Sequence, residues 1–208
     1  MLILKRVEIW EKQMNRIIEM IIDAGPAVII GQALGIIGMI LAMISFQCKN
    51  IKVFCALQTF SGLSFTVHFF VLGNAVQGAL NMFNILRGWA FGFAPESWRR
   101  PLVGIVMACY IGAAVVTYSP SDALWVTALI LIAQLANTVT MYIGNAKIIR
   151  LVQIGYISPA WMTSNIITFS IGGILCETFN IISSTVALIR FRKEWFPKKE
   201  RPMALTEG

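Results

Sequence analysis

Residues 26–46 read PAVIIGQALGIIGMILAMISF, twenty-one positions without a charged side chain. A helix rises about 1.5 Å per residue, so about 20 apolar residues cross a hydrocarbon layer of about 30 Å. This one run is long enough to span a bilayer. Working outward, apolar runs recur at 51–72, 75–93, 101–118, 124–144, 147–158 and 164–189. None alternates apolar and polar residues as a barrel strand would. In lipid every backbone N–H and C=O needs an internal partner, which leaves helices. The expectation is an all-α polytopic bundle of seven spans. The sixth run is the shortest, is stopped by Pro159, and is expected to continue past it with a kink, since proline removes a helix hydrogen bond.

Composition agrees. The chain has 208 residues, 57% hydrophobic and 13% charged, with a net charge of +7. Soluble domains carry about 25% charged residues. The positive charge does not imply nucleic acid, because the basic residues sit at the ends of apolar runs. After the first run, the segments around Lys49 and Lys52, around Arg87, Arg99 and Arg100, around Lys147 and Arg150, and the tail from Arg190 hold thirteen Lys or Arg residues in all. The alternate segments, around 73–74, 119–123 and 159–162, hold none. The positive-inside rule then gives N-terminus out and C-terminus in. Trp89, Trp98, Trp125, Trp161 and Trp195 fall near the expected span ends, as in an interfacial aromatic belt. Residues 1–25 pair Lys5, Arg6, Lys12 and Arg16 with Glu8, Glu11, Glu19 and Asp23, and repeat apolar residues at helical spacing. They read as an amphipathic N-terminal extension lying on the membrane.

An internal repeat is visible. Asn50, Lys52 and Gln58 recur as Asn145, Lys147 and Gln153, each 95 positions later. The same offset pairs Ser45 with Thr140 and Gly78 with Gly173. The organisation expected is a three-helix unit over 26–93, a linker helix over 101–118, a second three-helix unit over 124–191, and a basic cytoplasmic tail over 192–208. The repeat is parallel, because a single span separates the copies. Repeats of this kind place a substrate path at their interface.

The stretch His68-Phe69-Phe70-Val71-Leu72-Gly73, followed by Gly78-Ala79, Asn84 and Arg87, resembles the YgjV family of bacterial inner-membrane proteins. The later stretch Ser170-Ile171-Gly172-Gly173, followed by Glu177 and Arg190-Phe191, resembles the same family's second signature. The resemblance runs from about Gln32 to Phe191. It implies a bacterial inner (plasma) membrane location and a layout similar to the SWEET and PQ-loop transporters, three helices, a linker and three more. The Pro-Gln pair of the PQ-loop group is absent from this chain.

Glu177 is the one acid inside an expected span, near the middle of the seventh. A carboxylate there costs at least about 2.5 kcal/mol on insertion scales. It reads either as a proton-relay or substrate contact or as a hydrogen-bonded packing residue. His68, late in the second span and near the outer side, reads as a proton partner or as an interfacial polar residue. Arg87 and Arg190 are expected to snorkel to the cytoplasmic headgroups. Asn81 and Asn84 in the third span and Asn180 in the seventh form a polar set; amides there serve a neutral solute or tie helices together. The resemblance to SWEET transporters implies asparagines on these two helices in solute binding. Gly73, Gly78, Gly172, Gly173 and Pro159 are read as structural, and Gly31 and Gly35 form a close-packing GxxxG.

The four cysteines lie in or beside apolar runs without a CxxC pair and read as packing residues. There is no phosphate-cradling loop, no GxSxG and one histidine. No enzymatic activity, metal or cofactor is expected. The expected partners are the lipid bilayer and a small neutral or polar solute, with self-association into a homo-oligomer left open. A small-solute permease is the leading functional expectation. The alternative is a non-transporting partner subunit or lipid-interacting protein, motivated by the basic tail.

Overall fold

The computed structural model describes residues 25–45, 51–120 and 122–190. They build seven rods. Five are single helices: α1 (Pro26–Ser45), α2 (Ile51–Val71), α3 (Ala75–Phe93), α4 (Glu96–Thr117) and α5 (Leu124–Ile143). The sixth joins α6 (Ala146–Val152), one π-helical turn (Gln153–Ile157) and α7 (Ser158–Ile167), and the seventh is α8 (Ile171–Arg190). No strand occurs among the described residues. The fold is the helical bundle that the apolar runs imply. The tail and Asn50 lie outside the described residues, as does the N-terminal extension apart from Gly25.

The bundle has the surface of a membrane protein. As many polar or charged side chains as apolar ones are buried among the described residues, while large apolar side chains such as Val116 (83% exposed) and Ile189 (69%) point outward. Water would favour the reverse arrangement. Four helical segments, Pro26–Ser45, Arg99–Thr117, Leu124–Ile143 and Ile171–Arg190, are apolar and long enough to cross a bilayer by composition alone. α2, α3 and the sixth rod carry more polar residues, and His68, Gln77, Arg87 and Ser158 on them are buried against neighbouring helices.

Neighbouring rods follow a simple order. α2 packs between α1 and α3, and the sixth rod packs between α5 and α8. α8 closes against α1, α3 touches α5, and α4 lies against both α3 and α5. The α1–α8 seam is held very close by glycine. A Cβ on Gly172 would overlap the backbone of Gly35, and a Cβ on Gly35 would press on the His68 ring. Gly31 likewise faces Val71. The GxxxG reading of Gly31 and Gly35 is thus a contact with two helices at once.

Two turns share one end of the bundle, and they are built alike. After α2, Leu72 N–H donates to His68 O, Gly73 N–H to Phe70 O and Asn74 N–H to Phe69 O. After α7, Thr168 N–H donates to Ser164 O, Phe169 N–H to Ile166 O and Ser170 N–H to Asn165 O. Each turn needs one residue in the left-handed region, a C-terminal device usually served by glycine. Gly73 fills it at φ 77° and Phe169 at φ 51°. The positions differ by 96, not 95.

The sixth rod explains the change of register. Ser158 N–H donates to Gln153 O, five residues back, in the π turn. A π turn holds one residue more than an α turn. Pro159 follows directly, with no N–H of its own to donate. The kink expected at this proline is taken up by the wider turn, and the rod continues to Ile167. The seventh rod therefore begins at Ile171, not at 164, because Ser164–Ile167 completes the sixth. The linker helix also starts earlier than expected, at Glu96, with Pro101 inside it. Gly78 and Gly173, paired in the sequence at offset 95, are not equivalent: Gly78 N–H bonds Asn74 O, and it is Ile174 N–H that bonds Ser170 O.

Candidate functional site

α3 and α8 begin at Ala75 and Ile171. Asn81 and Glu177 are therefore the seventh residues of their helices, and Asn84 and Asn180 the tenth. Residues three apart face the same side of a helix. In α3 the Asn84 amide donates to Asn81 Oδ1 at 3.4 Å. In α8 the Asn180 amide donates to Glu177 Oε2 at 3.3 Å. Two helices thus carry the same polar pair at the same depth, with a carboxyl replacing an amide in one of them.

Each pair is held from a third helix. Ser158 Oγ donates to Glu177 Oε2 at 2.6 Å, and Gln153 Nε2 donates to Ser158 Oγ at 2.8 Å. The π turn is bounded by this pair of residues. Tyr110 OH on α4 donates to Asn84 Oδ1 at 2.6 Å, and Asn81 Nδ2 donates to Gln77 O. Glu177 lies two turns into α8, nearer its start than the sequence suggested, because that helix begins later. Its hydrogen-bond partners among the described residues are Ser158 and Asn180, not His68 or Arg87.

His68 is not interfacial. It is fully buried, with Nδ1 2.7 Å from Gly31 O and Nε2 2.6 Å from Ser170 Oγ. A carbonyl only accepts, so Nδ1 is the donor, and Nε2 accepts from Ser170, whose Oγ takes Gly173 N–H. This chain ties α2 to α1 and to the turn before α8. Gly173 must be small there, since a Cβ would meet Asn165 and Ser170. A second tie at the same end runs from Gln77 Nε2 to Ser164 Oγ.

Arg87 departs from expectation. It does not snorkel: it is 7% exposed, donates from Nη1 to Gln134 Oε1 on α5 at 2.8 Å, and lies 5.6 Å from the Tyr110 ring centroid. Six residues of α3 follow it, which sets it about 9 Å back from the helix end. Arg190, by contrast, is exposed as the last residue of α8.

The two sides of the bundle differ at the end carrying the turns. On the α1–α8 side the Gln32 amide clasps the second turn, donating to Phe169 O at 2.6 Å and accepting from Ile171 N–H at 3.1 Å. On the α3–α5 side a cavity of about 360 Å³ opens, lined among others by Asn74, Gln77, Asp122, Thr127 and Ser164. Gln77 is 3% exposed and its Oε1 has no partner.

Sequence reasoning found Glu177, His68 and the three asparagines but missed Ser158, Tyr110, Gln134, Gln77 and Gln32. The glutamines had a signal, being isolated amides in apolar runs. Ser158 had none. Cys109 and Cys176 are free thiols, and no three His, Cys, Asp or Glu side chains come together among the described residues. What the site offers chemically is amides, hydroxyls and one carboxyl at mid-depth, groups that donate to and accept from a polar solute.

The comparison with curated proteins and the comparison with solved structures each gave no match. The model of a family described as a bacterial inner membrane protein, Imp-YgjV, matches residues 29–195. That match covers most of the chain, which belongs to this family of membrane proteins.

Proposed function

We propose that the chain is a permease for a small polar solute, which passes between two three-helix units along the pairs Asn81–Asn84 and Glu177–Asn180. The observation that carries this reading is their equal placement on α3 and α8, each the third helix of its unit. Polar groups at mid-depth are expensive in a membrane and mark solute or ion paths. The matching turns at Gly73 and Phe169 support a repeat with an offset of 95 before the π turn and 96 after it. Parallel repeats of this kind carry substrate sites at their interface.

The asymmetry of the bundle supports a direction of opening. The α1–α8 seam is sealed by Gly35, Gly172 and the Gln32 clasp, so movement falls to the α3–α5 side, where the cavity lies. The thirteen-to-none distribution of basic residues supports turns that face outward and a cytoplasmic tail. No bond-making chemistry is part of this reading.

The test is uptake by cells or vesicles bearing Glu177→Gln. The variant should insert and melt as the parent does while uptake is abolished. Normal uptake by an inserted Glu177→Gln protein overturns the reading. Screening solutes by thermal stabilisation identifies the substrate, since a ligand bound to the folded state raises its apparent stability.

A further inference from the structure

Among the described residues Arg87 meets no counter-charge. It is 7% exposed, yet it donates to the neutral amide of Gln134 and lies against the neutral Tyr110, and its Nε has no partner. The two acids with described side chains are engaged elsewhere, Asp122 with Ser119 N–H and Glu177 with Ser158 and Asn180. A guanidinium is a rigid fork of five donors shaped for a carboxylate or phosphate. Buried charges are paired, because an unpaired one loses its hydration without return. The Tyr110 ring offers cation–π contact from one side but no anion.

We propose that Arg87 binds an oxyanion, a carboxylate or phosphate group, at the junction of α3, α4 and α5. The inference rests on the permease reading for its route and names the class of solute that route takes. Further cations lie where the start of α4 meets the end of α5. About 12 Å along α5 from Gln134, Tyr142 borders a hollow of about 410 Å³ that is also lined by Arg99 and Arg100. Cationic walls raise the local concentration of anions. The oxyanion meets Arg87 through its Nε side, since Nη1 is held by Gln134. Gln134 thereby fixes the orientation of the fork, and Tyr110, bonded to Asn84, places it beside the amide pair of α3.

The test reads binding without transport. Full-length protein in neutral detergent is melted in sodium acetate, in sodium phosphate and in sodium chloride of matched ionic strength. A parallel series adds phosphatidylglycerol or phosphatidylcholine to the micelles. The expected result is a saturable rise in melting temperature with acetate or phosphate, which assigns the oxyanion to a soluble solute. A rise with phosphatidylglycerol alone assigns it to a lipid headgroup and equally supports the site. Arg87→Gln should weaken the response about tenfold or more in apparent affinity. Should that variant not fold, Gln134→Glu decides: it supplies an internal carboxylate, so it should melt higher than the parent and ignore all added anions. No response in the parent beyond the chloride and phosphatidylcholine controls overturns the proposal, as does a parent-like response in Arg87→Gln or Gln134→Glu. Absence of an anion response in a protein whose uptake still depends on Glu177 sinks this inference alone. An anion response in a protein whose uptake is indifferent to Glu177→Gln sinks the permease reading alone.

Discussion

Ser158 Oγ lies 2.6 Å from Oε2 of Glu177 while accepting from the side chain of Gln153. With Gln153 donating to it, the serine turns its own proton toward the carboxyl. Glu177 is therefore held by two donors from different helices, Ser158 on α7 and Asn180 on α8. Interhelical hydrogen bonds in membranes average about 0.6 kcal/mol, and bonds to charged groups reach about 1.5–3 kcal/mol. Ser158→Ala should lower unfolding free energy by about 1–2 kcal/mol, between those limits. Ser158→Thr, which keeps the hydroxyl, should recover most of it. Reversible unfolding of the purified protein measures both, and equal stability of the alanine variant and the parent would show that Asn180 alone suffices.

Phe169 occupies a backbone region that suits glycine. At φ 51° its Cβ crowds the following carbonyl, and the residue is 58% exposed, so packing returns little. The left-handed conformation costs a non-glycine residue about 1–2 kcal/mol. Glycine gives back part of that through its freer unfolded chain, about 0.5–1 kcal/mol. Phe169→Gly should therefore stabilise by about 0.5–1 kcal/mol, while Gly73→Phe should destabilise by about 1–2 kcal/mol. A paired thermal melt reads the opposite signs. Destabilisation by Phe169→Gly would mean that the ring, not the backbone, anchors this turn.

The α1–α8 seam makes a sharper case. A methyl group on Gly172 would strike the backbone of Gly35, which no rotamer change relieves. Overpacking in a tight interior costs about 1–3 kcal/mol, and a backbone collision belongs at the upper end. Gly172→Ala should lose about 3 kcal/mol or more. Gly112, also helical, has nothing within 4 Å of its added Cβ and should accept alanine at no loss. Equal melting temperatures for the two variants would show that the seam is looser than this packing requires.

Much of this architecture was legible in the sequence because lipid imposes one simple rule. Seven apolar runs became seven helical rods. Glu177, Asn180, Asn81 and Asn84 stood out as polar residues in apolar surroundings. What stayed hidden were features that composition does not encode. The snorkelling expected for Arg87 overlooked the six apolar and small residues of α3 that follow it and carry it into the bundle. The start of the last helix was misplaced because no charge, proline or glycine lies between Ser164 and Ile171, and only the turn hydrogen bonds divide the two helices. The matching helix positions of Asn81 and Glu177 were masked by a single residue, since the motif at Gln58 and Gln153 set the offset at 95.

That residue is open to experiment. Gln58 and Gly62 are four positions apart in a regular helix, whereas Gln153 and Ser158, each 95 or 96 positions later, are five apart across the π turn. A π turn is the expected trace of one residue inserted into an α-helix, which leaves the flanking faces in place. Gly155 is exposed, and a Cβ there would meet nothing within 4 Å. Its deletion should convert the turn to α-helix and keep Ser158 against Glu177. Pro159 would then sit inside a regular helix, at a cost of about 3 kcal/mol. The deletion alone should lose about that amount, and adding Pro159→Ala should restore most of it. Deleting Ile132 from α5 is the control, because every later residue of that helix then turns by about 100° and Gln134 leaves Arg87. Equilibrium unfolding ranks the three variants. A doubly altered protein as unstable as the Ile132 deletion would show that the π turn is an integral part of the site rather than an absorbed insertion.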